Sequence, residues 1–163
     1  MKLRNQTRSP QRTLFDADPG VTASLRWRDG AQINYLGVSL RLKLDTDRRQ
    51  ALREDIVLHL PLPPEATERQ VQDAAESWLR REAETLFSRM ITHETQRTGR
   101  DMPFLSLSFS LRGGWIQVEN HALRLNWRLI EQPLQVIELT LRRAVAMLPI
   151  KTAVTDLFSA MTS

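Results

Sequence analysis

The chain has 163 residues, 41% of them hydrophobic and 26% charged, and contains no cysteine. That size and balance fit one globular domain with an ordinary core, and the missing thiols exclude disulfides and thiolate metal sites. No apolar run reaches the length of a membrane span. The basic opening MKLRNQTRSPQR has no apolar segment behind it to make a secretory signal, so a cytoplasmic location is the default expectation.

The net charge of +4 belongs to the first twelve residues, where Lys2, Arg4, Arg8 and Arg12 stand without an acid; the remaining 19 basic residues balance 19 acidic ones. The body of the protein is therefore neutral, and any contact with nucleic acid is expected from this tail. Residues 1–20 lack periodicity and end in the turn signal DADPG. They read as a basic, mostly disordered leader to a single domain over 21–163.

ASLRW, QINYLG, VSLRLKLD and DIVLHLPLP alternate apolar and polar residues, which predicts an antiparallel meander of strands. DTDRRQALRED between the third and fourth reads as a charged hairpin loop, and LPLPP stops the sheet because proline donates no ladder hydrogen bond. A long helix is expected over about 66–95, with Thr67 as N-cap. Val71, Ala74, Ala75, Trp78, Leu79, Ala83, Leu86, Phe87, Met90 and Ile91 form its buried stripe. Arg80, Arg81 and Glu84 fall off that stripe and read as a solvated face. TGRDMP then breaks the helix.

FLSLSFSL alternates strictly and reads as a half-buried strand. WIQVE and ALRLNWRLI follow as a hairpin, with Asn120 and His121 at the bend. A second helix is expected over 134–148, with Pro133 before its first turn and Pro149 at its end. A last helical piece over about 152–161 carries Leu157, Phe158 and Met161. Strands, a long helix, more strands and two further helices make an α+β arrangement.

The search for chemistry returns little. His59, His93 and His121 fall on a strand, near a helix end and at a hairpin bend, with no pair at ligand spacing. Glu138 and Arg142 stand at i, i+4 and are expected to form a helix ion pair. No nucleophile elbow, phosphate loop or paired-carboxylate pattern occurs.

YLGVSLRLKL, AAESWLRREAETLFSRM and above all ALRLNWRLIEQPLQVIELTL resemble the YgjP-like zinc metallopeptidase family. In the last of these, Leu125, Asn126, Trp127, Arg128, Leu129, Pro133, Val136 and Ile137 match the family pattern in register. The likeness runs from about Tyr35 to Phe158. It implies that the helix should continue into H-E-x-x-H, whose two histidines bind zinc while the glutamate acts as general base. A third histidine should follow the helix. Carried onto this chain, the first histidine position is Arg143, the glutamate position Ala144, the second histidine position Met147, and the third ligand falls near Ala153. The family's tryptophan-glycine-serine-cysteine strand is reduced to Trp115.

Arginine carries no lone pair to give a metal, the methionine thioether is a poor zinc ligand, and alanine offers neither ligand nor base. No catalytic residue, metal or cofactor is expected. Thr140, Arg143 and Met147 share one face at i, i+3, i+7, which in an active relative would look into the cleft. Met147 is expected to fill the vacated metal pocket as core. Arg143 is expected to reach solvent or an acid across the cleft, or else to bind an anion in a repurposed one. Trp115 and Trp127 read as sheet and core packing, or as lining of the former groove.

Three readings follow. The first is a catalytically inactive metallopeptidase relative that binds a protein or peptide by strand addition at FLSLSFSL or WIQVE. The second is a nucleic-acid-associated module using the basic tail. The third is an active metal-dependent hydrolase with an unrelated site. None involves a membrane.

Overall fold

A computed structural model describes residues 27–110 and 112–151. Four strands, β1 (Gln32–Tyr35), β2 (Val38–Leu44), β3 (Leu52–Glu54) and β4 (Val57–Leu60), precede a long helix α1 (Glu68–Thr98). Three more follow: β5 (Phe104–Ser108), β6 (Ile116–Glu119) and β7 (Ala122–Asn126). A 3-10 turn (Trp127–Glu131) then leads into helix α2 (Leu134–Ala146). The class is α+β. The expected strand ASLRW lies almost wholly, and the tail over 1–20 and the helical piece over 152–161 lie entirely, outside the described residues.

The strands form two mixed sheets, not an antiparallel meander. The first has the order β1-β2-β4-β3 and the second β5-β7-β6. β2 and β4 run parallel, as do β5 and β7, while the β1–β2, β3–β4 and β6–β7 pairs are antiparallel. Alternation had marked which residues face inward but says nothing of partner or direction. The charged stretch 45–55 is more than a loop: it contains β3, whose three residues are all exposed and so give no apolar signal. β3 forms the sheet edge, and β4 returns between it and β2.

The core is one cluster. Ile33, Leu40, Leu42, Leu58 and Leu60 from the first sheet meet Val71, Ala75, Leu79, Ala83, Phe87 and Ile91 of α1. Leu123, Leu125, Leu129, Ile130 and Ile137 complete it. α1 packs against the 3-10 turn, α2, β4 and β5. Its start is a capping box: the Thr67 hydroxyl accepts from the Gln70 amide at 3.2 Å and the Gln70 side chain accepts from the Thr67 amide at 2.9 Å. Gly99 ends it in the left-handed conformation, φ 65°. The helix itself runs to Thr98, three residues beyond the expected boundary, over a turn where the hydroxyls of Thr95 and Thr98 donate back to the helix carbonyls.

The turn between β1 and β2 positions the approach to α2. The amides of Leu36 and Gly37 donate to the carbonyls of Ile130 and Glu131 at 2.8 and 3.2 Å. Gly37 has φ +77°, and a Cβ there would lie 2.9 Å from the Cα of Pro133. Only glycine meets both demands.

Candidate functional site

α2 starts where Pro133 fixes the backbone, and the amides of Val136 and Ile137 donate to the Pro133 carbonyl at 2.9 and 3.1 Å. Ile137, Leu141, Ala144 and Val145 form its buried stripe, continued by Leu148 in the core. Met147 is the C-cap, so the helix ends short of residue 148.

The other side of α2 is open. Thr140 is half-buried and its hydroxyl donates to the Val136 carbonyl at 2.7 Å. Arg143 is exposed. Met147 is 62% exposed, so it does not fill a pocket as core. The helix period explains this: residues 141, 144, 145 and 148 already supply the inward stripe, and 147 falls on the far side. Ala144, between the two outward positions in sequence, is fully buried. Val136 and Leu139 are also exposed, so this face of α2 is largely apolar around one cation.

The second sheet flanks it. α2 packs against β6, and both β5 and β6 are edge strands, each paired only with β7 among the described residues. Trp115 stands at the entrance to β6, partly exposed, with its carbonyl accepting the Asn126 amide at 2.9 Å. Trp127 is different: it is 4% exposed and belongs to the core. Two guanidiniums cover its ring, Arg128 at 4.5 Å and Arg80 at 5.6 Å from the centroid. Trp127 therefore lines no open groove, whereas Thr140, Arg143 and Met147 share the exposed side of α2.

Arg80 is not the solvated residue its position off the α1 stripe suggested. It lies half-buried over Trp127 and over Phe109 at 5.3 Å, with Glu76 at 3.4 Å. Glu76, itself buried, also meets Arg128 at 3.5 Å and accepts from Gln72 at 3.1 Å. The i, i+4 spacing of Glu76 and Arg80 was a legible signal; the contribution of Arg128, from 52 residues away, was not.

The expected Glu138–Arg142 ion pair does not form among the described residues. Both side chains instead line a groove of about 350 Å³ between α1 and α2, with Arg89, Met90, His93, Glu94 and Leu141. Arg97 holds both oxygens of Glu94, at 2.6 and 3.0 Å, and this pairing, with smaller contributions from Arg142 and His93, lowers the Glu94 pKa.

The histidines stay apart. His121 is exposed at the β6–β7 bend and His93 is exposed on α1. His59 is buried on β4, its Nδ1 3.4 Å from Asp45 and its Nε2 3.3 Å from Glu54. Arg48 joins the same two carboxylates. Asp45 is held below its ordinary pKa, first by the Asp47 amide and then by His59 and Arg48. Glu54 is lowered chiefly by Arg48. Each His59 nitrogen faces a different carboxylate. Among the described residues no three His, Asp or Glu side chains come together to hold a metal ion. The position near Ala153 and the basic residues Lys2, Arg4, Arg8 and Arg12 lie outside the described residues.

Comparison with known proteins gives one match. A family model described as "YgjP-like, metallopeptidase domain" matches residues 11–140, ending three residues before Arg143. No curated protein and no solved structure matches significantly.

Proposed function

Because the chain belongs to the YgjP-like metallopeptidase family, we propose that it is a catalytically inactive member that has kept the domain and uses it to bind peptide. The observation that carries this reading is the content of α2 at the positions that the resemblance assigns to the family's catalytic groups. Arg143 and Met147 stand outward, one turn apart, where two histidines are called for, and a buried alanine stands where the general base belongs. These residues do not fit zinc: a guanidinium repels the ion, a thioether binds it weakly, and Ala144 can neither hold nor move a proton.

What remains is a surface suited to binding. The edge of β6 that is unpaired among the described residues runs beside α2, and an extended peptide laid along it would gain ladder hydrogen bonds. The apolar side chains of Val136, Leu139 and Met147 supply contact area near that edge, and Arg143 supplies one positive charge for an acidic group. A protein that an active relative would cut is a natural partner for such a surface. The test is metal content by plasma mass spectrometry after exposure to zinc and dialysis, paired with amide hydrogen exchange in the presence of candidate peptides. No retained zinc, with slowed exchange on β6 when peptide binds, is the expected result. About one zinc per chain would overturn the reading.

A further inference from the structure

The groove between α1 and α2 is a second site, on the flank of α2 away from Arg143 and Met147. Its walls are two ridges at helical spacing: Arg89, Met90, His93 and Glu94 on α1, and Glu138, Leu141 and Arg142 on α2. Its volume of about 350 Å³ falls within the range of small-ligand sites. The floor is apolar, made by buried Leu141 and half-buried Met90.

The charges on its rim act on neighbours only at longer range: Arg142 and His93 help lower the Glu94 pKa, and Arg89 acts on Tyr35. Glu94 is occupied by Arg97. Arg89, Arg142, His93 and Glu138 make no hydrogen bond or ion pair among the described residues. Arg142 stands one turn from Glu138, yet the two do not pair. Two guanidiniums without a hydrogen-bonded partner among the described residues, against one such carboxylate, leave one positive charge in excess beside an apolar floor. A ligand that satisfies this set carries one negative charge for the guanidiniums, an N–H for Glu138, and a hydrocarbon body for Met90 and Leu141.

We propose that this groove binds a peptide C-terminus ending in an apolar residue. The terminal carboxylate faces Arg89 and Arg142, where charge-assisted bonds are strongest. The last amide N–H faces Glu138, and the terminal side chain lies on Met90 and Leu141. The site does not depend on the outer face of α2 or on the loss of peptidase chemistry.

The test uses N-acetyl-leucine as the smallest probe with all three features, and follows the amides of residues 89–94 and 138–142 by two-dimensional NMR. Saturable shifts confined to these residues are expected in the millimolar range. Arg142→Gln should weaken binding about tenfold or more, as loss of a charged hydrogen bond does, and N-acetyl-leucinamide, which lacks the carboxylate, should bind equally poorly. Glu138→Gln should weaken it less, because an amide oxygen still accepts. Arg143→Ala should leave it unchanged. The carriers of the variants are surface groups, so an unchanged spectrum elsewhere certifies the fold. No shift in the groove, equal binding of the amide, or loss on Arg143→Ala each overturns the assignment.

Discussion

The residue that the proposed reading sets at the family's general-base position offers the sharpest test of that reading. Ala144 is fully buried, within the stripe of Ile137, Leu141, Val145 and Leu148. Ala144→Glu would push four extra heavy atoms into close-packed core, which costs about 1–3 kcal/mol in overpacking. It would also bury a carboxyl without a partner, which adds about 1–3 kcal/mol even in the neutral form. A loss of roughly 2–6 kcal/mol is expected, a large part of the ~5–15 kcal/mol that holds a domain together. Urea denaturation at constant m-value measures it.

The control is Ala144→Met, which adds comparable bulk without charge and should cost only the packing part. The pH dependence separates the two contributions. A buried carboxyl has its folded-state pKa raised above the unfolded value of about 4.3. As pH rises through that value the unfolded state releases its proton while the folded state keeps it, so stability falls with rising pH until the folded pKa is passed. The deficit of Ala144→Glu should therefore shrink on acidification, and that of Ala144→Met should not. A change below about 0.5 kcal/mol for Ala144→Glu, within the range of an ordinary surface substitution, would show that Ala144 is not held in close-packed core. It would mean that the position opens onto solvent and that the base site of an active relative survives as space.

Other expectations follow from the geometry. Gly37→Ala should lower stability by about 2–4 kcal/mol, because the residue must hold a positive φ and its Cβ would press on Pro133; thermal melting reads this. Thr67→Ala should cost about 1 kcal/mol through loss of the capping box, measured by urea unfolding. Tyr35 is the only tyrosine of the chain, so phenolate absorbance reports it alone; burial, reinforced by its hydrogen bond to Glu82, pushes its pKa up to about 12. Its raised value means that stability is present below the ordinary pKa of 10.0 and is lost as pH rises from there toward about 12, and Glu82→Gln should bring the titration midpoint down. At the acid end, Asp45, Glu54 and Glu94 all have depressed pKa values. Their contribution is present above the ordinary carboxylate pKa and is lost as pH falls through the lower folded values, so Asp45→Asn should flatten the acid limb of the stability profile.

The sequence made the elements legible where local physics decides them. Thr67 with Gln70 announces the start of α1, and its stripe is buried at Val71, Ala75, Trp78, Leu79, Ala83, Phe87 and Ile91, with Ala74, Leu86 and Met90 half-buried at the margins. Pro133 marks the start of α2 just as plainly. The sheets were less legible because alternation fixes a face and not a neighbour. β3 carries no inward residue, so nothing in LRE distinguishes it from the charged loop around it, and without β3 the parallel pairing of β2 and β4 cannot be inferred. ALRLNWRLI reads as one strand, yet it bends at Asn126, whose side chain accepts the Arg128 amide at 3.0 Å and donates to the Ser110 carbonyl at 2.9 Å. That second bond joins residues 16 apart and leaves no local mark.

The same distinction explains the site. Which residues the proposed reading sets at the family's catalytic positions follows from spacing along one helix. Which way those residues face depends on what the rest of the helix buries. Met147 is an apolar residue at a position the helix period turns outward, so its hydrophobicity alone wrongly suggested core. Glu138 and Arg142 have the spacing of an ion pair, but spacing only permits a pair. α1 presents Glu94 to the same groove, and Arg142 contributes to lowering its pKa. The helix α2 thus has three distinct sides: an inward stripe that fixes its position, an outward apolar face around Arg143, and a charged flank that shares a groove with α1. Only the first follows from the helix's own sequence. The other two are set by which elements stand beside it, and a substitution series across Glu138, Arg143 and Ala144 would address each side separately.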